Sequence, residues 1–382
     1  MLESLNNINF NNISSNKNIG IEVGYEIQEA SWVKSPFKSI TGRGSDRGIR
    51  TYAVKNSQPY RPRLKAQLSG SGVSGNTDFD ANYDKLEILS QTIYPEVFGN
   101  ALPSQIRAYD EIERVDFIKE ACDSLANWMN EERDKRIVAS LTNDFTNYLY
   151  SQTMSVATIR KAIFLARNGL KEDNSKAFPI KPIRADLVSV GGVMVQNTSY
   201  IVLLDSYQAN QLKKDTEYKE LRKLYAFANE DKGVLYHGLL GVIDNCPVID
   251  AGVWNKLNVG MPNSTISESE FKRYINKANA NSIVSPGQLK ELINKDKKTD
   301  KAPLNNKEIS IGCLIGASSV LLAGSETTNF YIDETKDAGR KSVVGVDCIL
   351  GVSKAKYQSS DGVTTPYDNQ DFAVIGLVSN ME

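Results

Sequence analysis

The sequence contains a single histidine, His237, among 382 residues. Histidine most often performs acid–base catalysis near neutral pH, and histidine-based metal sites usually need two or more copies. A lone histidine between apolar residues is more typical of a packed turn. No GxxxxGK[ST], HExxH or GxSxG motif is present. We therefore expect no catalytic residue, no metal site and no cofactor, although a fold can still bring scattered carboxylates together.

Cysteines are also few and far apart. The four are Cys122, Cys246, Cys313 and Cys348. Without a CxxC pair, neither a structural zinc site nor a dense disulfide framework is indicated. We expect four buried free thiols in a reducing cytoplasm.

The chain lacks net charge and long apolar runs. Its 45 basic and 46 acidic residues nearly cancel, and the absence of a basic stripe argues against a dedicated nucleic-acid binder. Low self-repulsion permits copies to associate. The most apolar stretch, 311–324, is too short to cross a bilayer, and the N-terminus does not look like a signal peptide. We expect a cytoplasmic product with no membrane partner.

The first 60 or so residues are rich in Asn, Ser and Gly and show no sustained helical or strand period. The run GRGSDRG at 42–48 would be costly to order in a helix. The pattern predicts an extended arm that becomes ordered against another surface.

A long hairpin follows the arm. Residues 63–68 and 85–93 are compatible with strands, and the Gly-, Asn- and Asp-rich stretch between them is too long for a tight turn. Excursions of this kind are usually functional or mobile. The residues expected at the tip are Gly70, Gly72, Val73, Gly75, Asp78, Phe79 and Tyr83.

The tip matches the dinucleotide-binding pattern GxGxxG through Gly70, Gly72 and Gly75. That motif binds a pyrophosphate only when its glycines turn a strand directly into a helix. Here the glycines lead into NTDFD, which has no helical period. A nucleotide-binding enzyme using residues 70–75 therefore stays a minor alternative.

The strongest helical signal spans residues 110–141, which contain neither proline nor glycine. Apolar residues recur there at steps of three or four, and acidic residues occupy the first turns, where the helix dipole favours them. The stripe is Ile112, Val115, Ile118, Leu125 and Met129, with Cys122 between the third and fourth. One stripe predicts a long helix lying along a sheet or a partner.

Downstream segments predict an α+β fold. Helices are expected at 155–170 and 206–214, and strands at 200–204, 248–249, 343–346, 349–352 and 372–378. Residues 261–307 are rich in Lys, Asn and Ser, which indicates a surface insertion with short helices.

The order of several blocks resembles the N4-gp56 family of phage major capsid proteins. The blocks are PFKSITGRGSDRGIR, LKAQLSGSGVSGNTDFDANYDKLEIL, DEIERVDFIKEACDSLANWMNEERDKRIVASLT, YIVLLDSYQANQLKKD, LYHGLLGVIDNCPVID, IGCLIGASSVLLAGSE and DFAVIGLVSN. One departure is Asp205-Ser206, where the family often has His-Pro. Residues 261–307 have less obvious counterparts.

The resemblance implies an HK97-like capsid fold with five parts. These are an N-terminal arm (1–61), an E-loop hairpin (62–95), a P-domain (96–190 and 353–382), its spine helix (about 110–141) and an A-domain (191–352). It also implies a structural role, in which pentamers and hexamers form an icosahedral phage head around double-stranded DNA. The implied partners are copies of the chain, packaged DNA held without sequence specificity, a portal, and decoration or scaffolding proteins.

Two further alternatives stay open from the sequence. An encapsulin-like shell would share the fold and enclose protein cargo. A tail-tube or decoration protein would fit the long helix poorly. The implied location is the virion capsid, with assembly in the cytoplasm of a bacterial host.

Overall fold

The computed structural model describes residues 17–33, 35–65, 73–74, 88–104, 117–190, 193–228, 239–251, 268–279, 284, 286–295, 309–325, 327–359 and 367–381. Within these ranges the α-helices are α1 (Lys17–Val33), α2 (Phe117–Thr142), α3 (Val156–Asn168), α4 (Ser206–Lys214), α5 (Thr216–Ala228), α6 (Glu268–Tyr274) and α7 (Pro286–Lys295). Short 3-10 helices occupy Lys38–Ile40, Lys277–Asn279 and Asp337–Gly339.

Seventeen strands are found in the same ranges. They are β1 (Thr41–Gly42), β2 (Ile49–Ala53), β3 (Arg63–Lys65), β4 (Ile88–Ser90), β5 (Glu96–Pro103), β6 (Tyr148–Ser151), β7 (Ile183–Val190), β8 (Val193–Ser199), β9 (Ile201–Leu204), β10 (Leu239–Ile243), β11 (Cys246–Asp250), β12 (Ile309–Ile315), β13 (Val320–Gly324), β14 (Asn329–Lys336), β15 (Lys341–Lys354), β16 (Gln358–Ser359) and β17 (Val374–Asn380).

Two mixed sheets organise these elements. The first has the order β1-β2-β13-β15-β14, and β5 pairs with the other edge of β15. The second has the order β10-β11-β9-β12-β17-β6. Smaller sheets join β3, β4 and β16, and β7 with β8. The α+β prediction is thus confirmed.

The long helix is present as α2, and its apolar stripe faces the first sheet. Leu125 and Met129 are 1% and 2% exposed and pack with Val344 and Val346 of β15. Ile118 is partly buried in the same cluster. Ile112 and Val115, with the predicted start of the helix, lie outside the described residues. The described part of the stripe therefore lies along a sheet, as predicted.

Helix α1 overturns the expectation of an arm without helical structure. Val23 and Ile27 are buried against α2 and β14. An added Cβ on Gly24 would overlap the carbonyl oxygen of Thr328. Glycine normally weakens a helix, but here its small size lets α1 approach the β14 segment closely. Gly24 therefore allows the helix to pack at this point.

The first sheet also changes the predicted domain boundaries. The sequence places residues 320–352 in the A-domain, yet β15 pairs with β5 along residues 96–103 and packs on α2. Conversely, β6 and β17, assigned to the P-domain, belong to the second sheet. The two strands predicted at 343–346 and 349–352 are one strand, because the alternation of buried residues continues through Asp347 and Cys348. Long-range pairing of this kind leaves no local sequence signal.

Residues 268–279 and 286–295 contain short helices, as predicted, but most of their described large apolar side chains are buried, with Leu292 an exception at 50% exposed. Phe271 and Tyr274 are 2% and 7% exposed, and Leu289 and Ile293 are also buried. The few apolar residues of this segment are spaced by three or four, so each short helix buries one side. The expectation of a purely superficial insertion is wrong for these residues.

Local signals elsewhere were reliable. Ser155 caps α3 by accepting a hydrogen bond from the Thr158 N–H, and Gly169 ends the helix in the left-handed conformation. The four cysteines are free and buried, as expected. Burial raises the pKa of the Cys313 and Cys348 thiols to about 12. Among the described residues, no helix is both long and apolar enough to span a bilayer.

Candidate assembly site

The hairpin predicted from the sequence has a well-anchored root. Strands β3 and β4 pair antiparallel, with Leu64 opposite Leu89, and β16 extends them to three strands. Leu89 is buried in an apolar cluster with Ile93 and Tyr357. We call β3, β4 and residues 91–96 the hairpin root. This packing attaches the base of the hairpin firmly to the rest of the subunit.

Most of the predicted tip residues cannot be placed on the structure. Gly70, Gly72, Gly75, Asp78, Phe79 and Tyr83 lie outside the described residues, as does His237. Val73 is described, in a two-residue segment without regular structure. The three glycines of the GxGxxG pattern are thus among the residues that the structure does not describe. Within the described ranges, no group of three or more His, Cys, Asp or Glu side chains is arranged to hold a metal ion.

The first sheet presents an open, largely apolar outer face. Along β15 the buried residues alternate with partly exposed ones, because α2 covers one side. On the other side lie Val97 of β5 and Tyr331 of β14, which are 60% and 53% exposed. Gly99 and Gly345 lie in neighbouring strands on that side. Exposed apolar surface on an edge strand is typical of contact with another chain.

A cluster of buried polar contacts, which we call the α1–α2 joint, connects the C-terminal end of α1 to α2. The Arg133 guanidinium lies over the Trp32 ring, 3.5 Å from its centroid, and donates hydrogen bonds to Ser31 Oγ and O at 3.1 and 2.9 Å. Ser35 Oγ donates to Asp134 Oδ1 at 2.8 Å. Burial lowers the pKa of Arg133 to about 10, so it remains charged at neutral pH. Burial of a guanidinium costs free energy unless hydrogen bonds and nearby charges replace its lost hydration, so these contacts are needed for its stability.

The Asp134 carboxyl makes this joint dependent on pH. Burial raises its pKa to about 6, although Ser35 and Arg133 favour the charged form. In the unfolded chain the pKa is roughly 3.9. The folded state therefore binds the proton more tightly between about pH 4 and 6, and stability falls as pH rises through that window.

Replacing Asp134 by Asn should remove this dependence. The free energy of unfolding of the parent should lose roughly 2–3 kcal/mol from this group between about pH 4 and 7, and Asp134→Asn should lose correspondingly less. Urea denaturation of the unassembled full-length chain at several pH values measures the difference. Asp333→Asn is the control, because the pKa of Asp333 is lowered to about 2 by Thr335 and Lys336 and so lies outside the window. Equal slopes for parent and Asp134→Asn would contradict the assignment.

A second network of buried polar contacts surrounds Lys354, next to the C-terminal end of α2. Lys354 Nζ contacts Asp371 Oδ1 at 2.7 Å, and the two side chains are 1% and 0% exposed. Lys354 also donates to the carbonyl oxygens of Asn143 and Asp144 at 2.6 and 3.0 Å. Lys356 Nζ contacts Asp144 Oδ2 at 2.5 Å. This network joins the residues that directly follow α2, the end of β15 and the segment before β17.

Sequence reasoning missed this network and the α1–α2 joint. Lys354 ends a strand of alternating buried residues, and Asp371 stands three residues before an apolar strand. Neither position has a spacing motif, because the contacts of Lys354 and Lys356 with residues 143 and 144 span 211 and 212 residues of the chain. The signal in the sequence is a lysine directly after the mostly apolar run CILGVS.

A full-length relative, and not a family model, identifies the family of this chain. No protein-family model matches the chain. The major structural protein ORF14 of Helicobacter pylori bacteriophage KHP30 is 78% identical over 382 residues, which is 100% of both chains.

Solved structures agree with that relationship. A chain of the acid-stable capsid of the same phage is 78% identical, with 99% of this chain and 100% of that chain covered and a TM-score of 0.77. A chain of the head of Helicobacter pylori bacteriophage KHP40 is 77% identical, with 98% and 100% covered and a TM-score of 0.81.

A distant structure supports the fold alone. The capsid of Ralstonia phage GP4 has 16% identity, 91% coverage of both chains and a TM-score of 0.62. The fold is therefore the HK97-like fold of phage capsids, and the chain belongs to the family of phage major structural proteins that includes ORF14 of bacteriophage KHP30, with a structural and not an enzymatic role.

Proposed function

We propose that copies of this chain form pentamers and hexamers that close into an icosahedral phage head around double-stranded DNA. The observation that carries the proposal is the full-length 78% identity to a capsid chain. The open apolar face of the first sheet and the hairpin root support it, because both offer surface and backbone to a neighbour. Assembly would take place in the cytoplasm of the bacterial host, and the finished protein would reside in the virion.

Within this proposal the hairpin is the E-loop, and residues 69–84 reach over an adjacent subunit. Residues 1–61 are the N-terminal arm, with α1 as its packed part. The P-domain comprises β5, α2 and β13–β15, and the A-domain comprises the second sheet with α3, α4 and α5. This division follows the two sheets and replaces the boundaries expected from the sequence. The ordered blocks further support membership of the N4-gp56 family.

The contact with packaged DNA should be weak and independent of sequence. The chain has nearly equal numbers of basic and acidic residues, so few phosphates can be neutralised by each copy. A portal, and decoration or scaffolding proteins, are the further partners of such a head.

Negative-stain electron microscopy of the expressed full-length chain tests the proposal. We expect closed shells, or capsomers that close under assembly conditions. Monodisperse monomers under all conditions would contradict it. Particles purified from producing host cells should also contain nuclease-protected double-stranded DNA. A protein cargo without nucleic acid would instead favour the encapsulin-like alternative.

A further inference from the structure

The chain that leaves the hairpin is held at several points before it enters β5. We call residues 91–96, which form the last part of the hairpin root, the exit leg. Gln91, 7% exposed, donates to Ser353 Oγ at 2.8 Å and to Lys354 O at 2.7 Å, and accepts from the Lys356 N–H at 2.8 Å. These bonds fix the start of the exit leg on the end of β15.

The next residues are held through their backbone. Ile93 exchanges two hydrogen bonds with Tyr60, at 2.8 and 2.9 Å. A Cβ added to Gly351 would lie only 3.0 Å from the Tyr94 carbonyl oxygen, so the exit leg rests directly on β15. Tyr60 pairs with Ile93 and not with Tyr94, whose backbone hydrogen bonds are made elsewhere.

Asn276 supplies both partners of Tyr94. Its Oδ1 accepts from the Tyr94 N–H at 3.2 Å, and its Nδ2 donates to the Tyr94 carbonyl at 2.9 Å. A primary amide has one acceptor and a donor in one plane, so it imitates the edge of a neighbouring strand. The same Oδ1 accepts from the Ala278 N–H at 3.1 Å, which orders the Asn276 turn.

The segment that carries Asn276 is fixed to the long helix. Phe271 and Tyr274 of α6 are buried against Ala139 of α2. The Arg136 guanidinium of α2 lies 4.7 Å from the Phe98 ring centroid and 5.9 Å from that of Tyr274. Helix α6 is therefore packed on α2, and Asn276, two residues after α6, forms its hydrogen bonds with the exit leg from that position.

We propose that Asn276 is a positioning residue for assembly: it sets the direction in which the hairpin leaves the subunit. The inference rests on the proposed function, in which the hairpin contacts a neighbour. A small rotation at the exit leg is amplified along an excursion of about 20 residues, which can span tens of ångströms. Residues 268–279 therefore act as a brace between α2 and the hairpin.

The test compares Asn276→Ala and Asn276→Asp with the parent chain. Asn276→Ala removes both bonds to Tyr94. Asn276→Asp keeps acceptors for the Tyr94 and Ala278 N–H groups but has no donor for the Tyr94 carbonyl when ionised. We expect both to fold, and both to give shells of mixed diameter or open sheets by electron microscopy. Hydrogen exchange at the Tyr94 amide should be roughly five- to tenfold faster in Asn276→Ala.

Lys161→Ala is the control. It removes the ion pair between Lys161 of α3 and Glu172, whose side chains are 48% and 17% exposed and which lies outside both the exit leg and the brace, and it should leave both the exchange rate and the shells unchanged. Uniform shells from Asn276→Ala would overturn the inference, even if exchange at Tyr94 accelerates. Failure of both Asn276 variants to fold would also overturn it, because Asn276 would then be needed for folding itself. Absence of shells from the parent chain would instead contradict the proposed function.

Discussion

Deletion of residues 70–83 is expected to abolish closed shells while leaving the subunit folded. The described anchors of the hairpin lie in its root: β3 pairs with β4, β4 pairs with β16, and Leu89 is buried with Ile93. Eight residues, 66–69 and 84–87, would still join Lys65 to Ile88, which is enough for a hairpin connection. The seven described helices all lie outside the deleted segment. Helical circular dichroism should therefore be unchanged, while electron microscopy should show no closed shells.

A second variant separates the length of the tip from its side chains. Residues 70–83 replaced by a Gly/Ser stretch of equal length keep the reach of the hairpin but remove Phe79, Tyr83 and the acidic residues of the tip. If the tip binds a neighbouring subunit through these side chains, this variant should also fail to close shells. Normal shells from the deletion variant would rule out the proposed reach of residues 69–84 over an adjacent subunit.

Elements with a strong local signal could be predicted from the sequence. Helix α3 has a Ser cap and a Gly stop, α4 follows β9 as expected, and α2 shows one apolar stripe. In each case the information lies within one or two turns of the chain, where periodicity and capping operate. The base of the hairpin was predicted for the same reason, because two short strands flank a turn-rich stretch.

Elements that depend on distant partners could not be predicted. Gly24 counts against a helix until Thr328 is known to lie next to it. The division of strands between the two sheets depends on the pairing of β5 with β15, about 250 residues later. The polar contacts of Asn276, Asp134 and Asp371 join residues that no sequence spacing relates.

Loss of the Asp371 charge should strongly destabilise the body of the subunit. Asp371→Asn keeps the size of the side chain and an acceptor for the Thr146 N–H, which now donates to Oδ2 at 2.8 Å. It leaves the Lys354 ammonium, 1% exposed, without its 2.7 Å counter-charge. Removing one partner of a buried ion pair costs about 3–5 kcal/mol. Urea denaturation of the unassembled full-length chain should show a loss of that size.

Two further measurements distinguish an unpaired charge from a general loss of packing. Desolvation already lowers the pKa of Lys354, and removal of the carboxylate should lower it further. In Asp371→Asn, the folded state then loses its proton at a lower pH than the unfolded state, so stability should rise with pH. The deficit relative to the parent should therefore shrink as pH rises toward the ordinary lysine pKa of about 10.4. The double variant Lys354→Met/Asp371→Asn, which has no buried charge at this pair, should be more stable than Asp371→Asn alone.

Glu96→Gln, which breaks only the exposed pair with Lys277, should leave the denaturation midpoint unchanged. A deficit in Asp371→Asn that is independent of pH and persists in the double variant would instead assign Asp371 to packing alone.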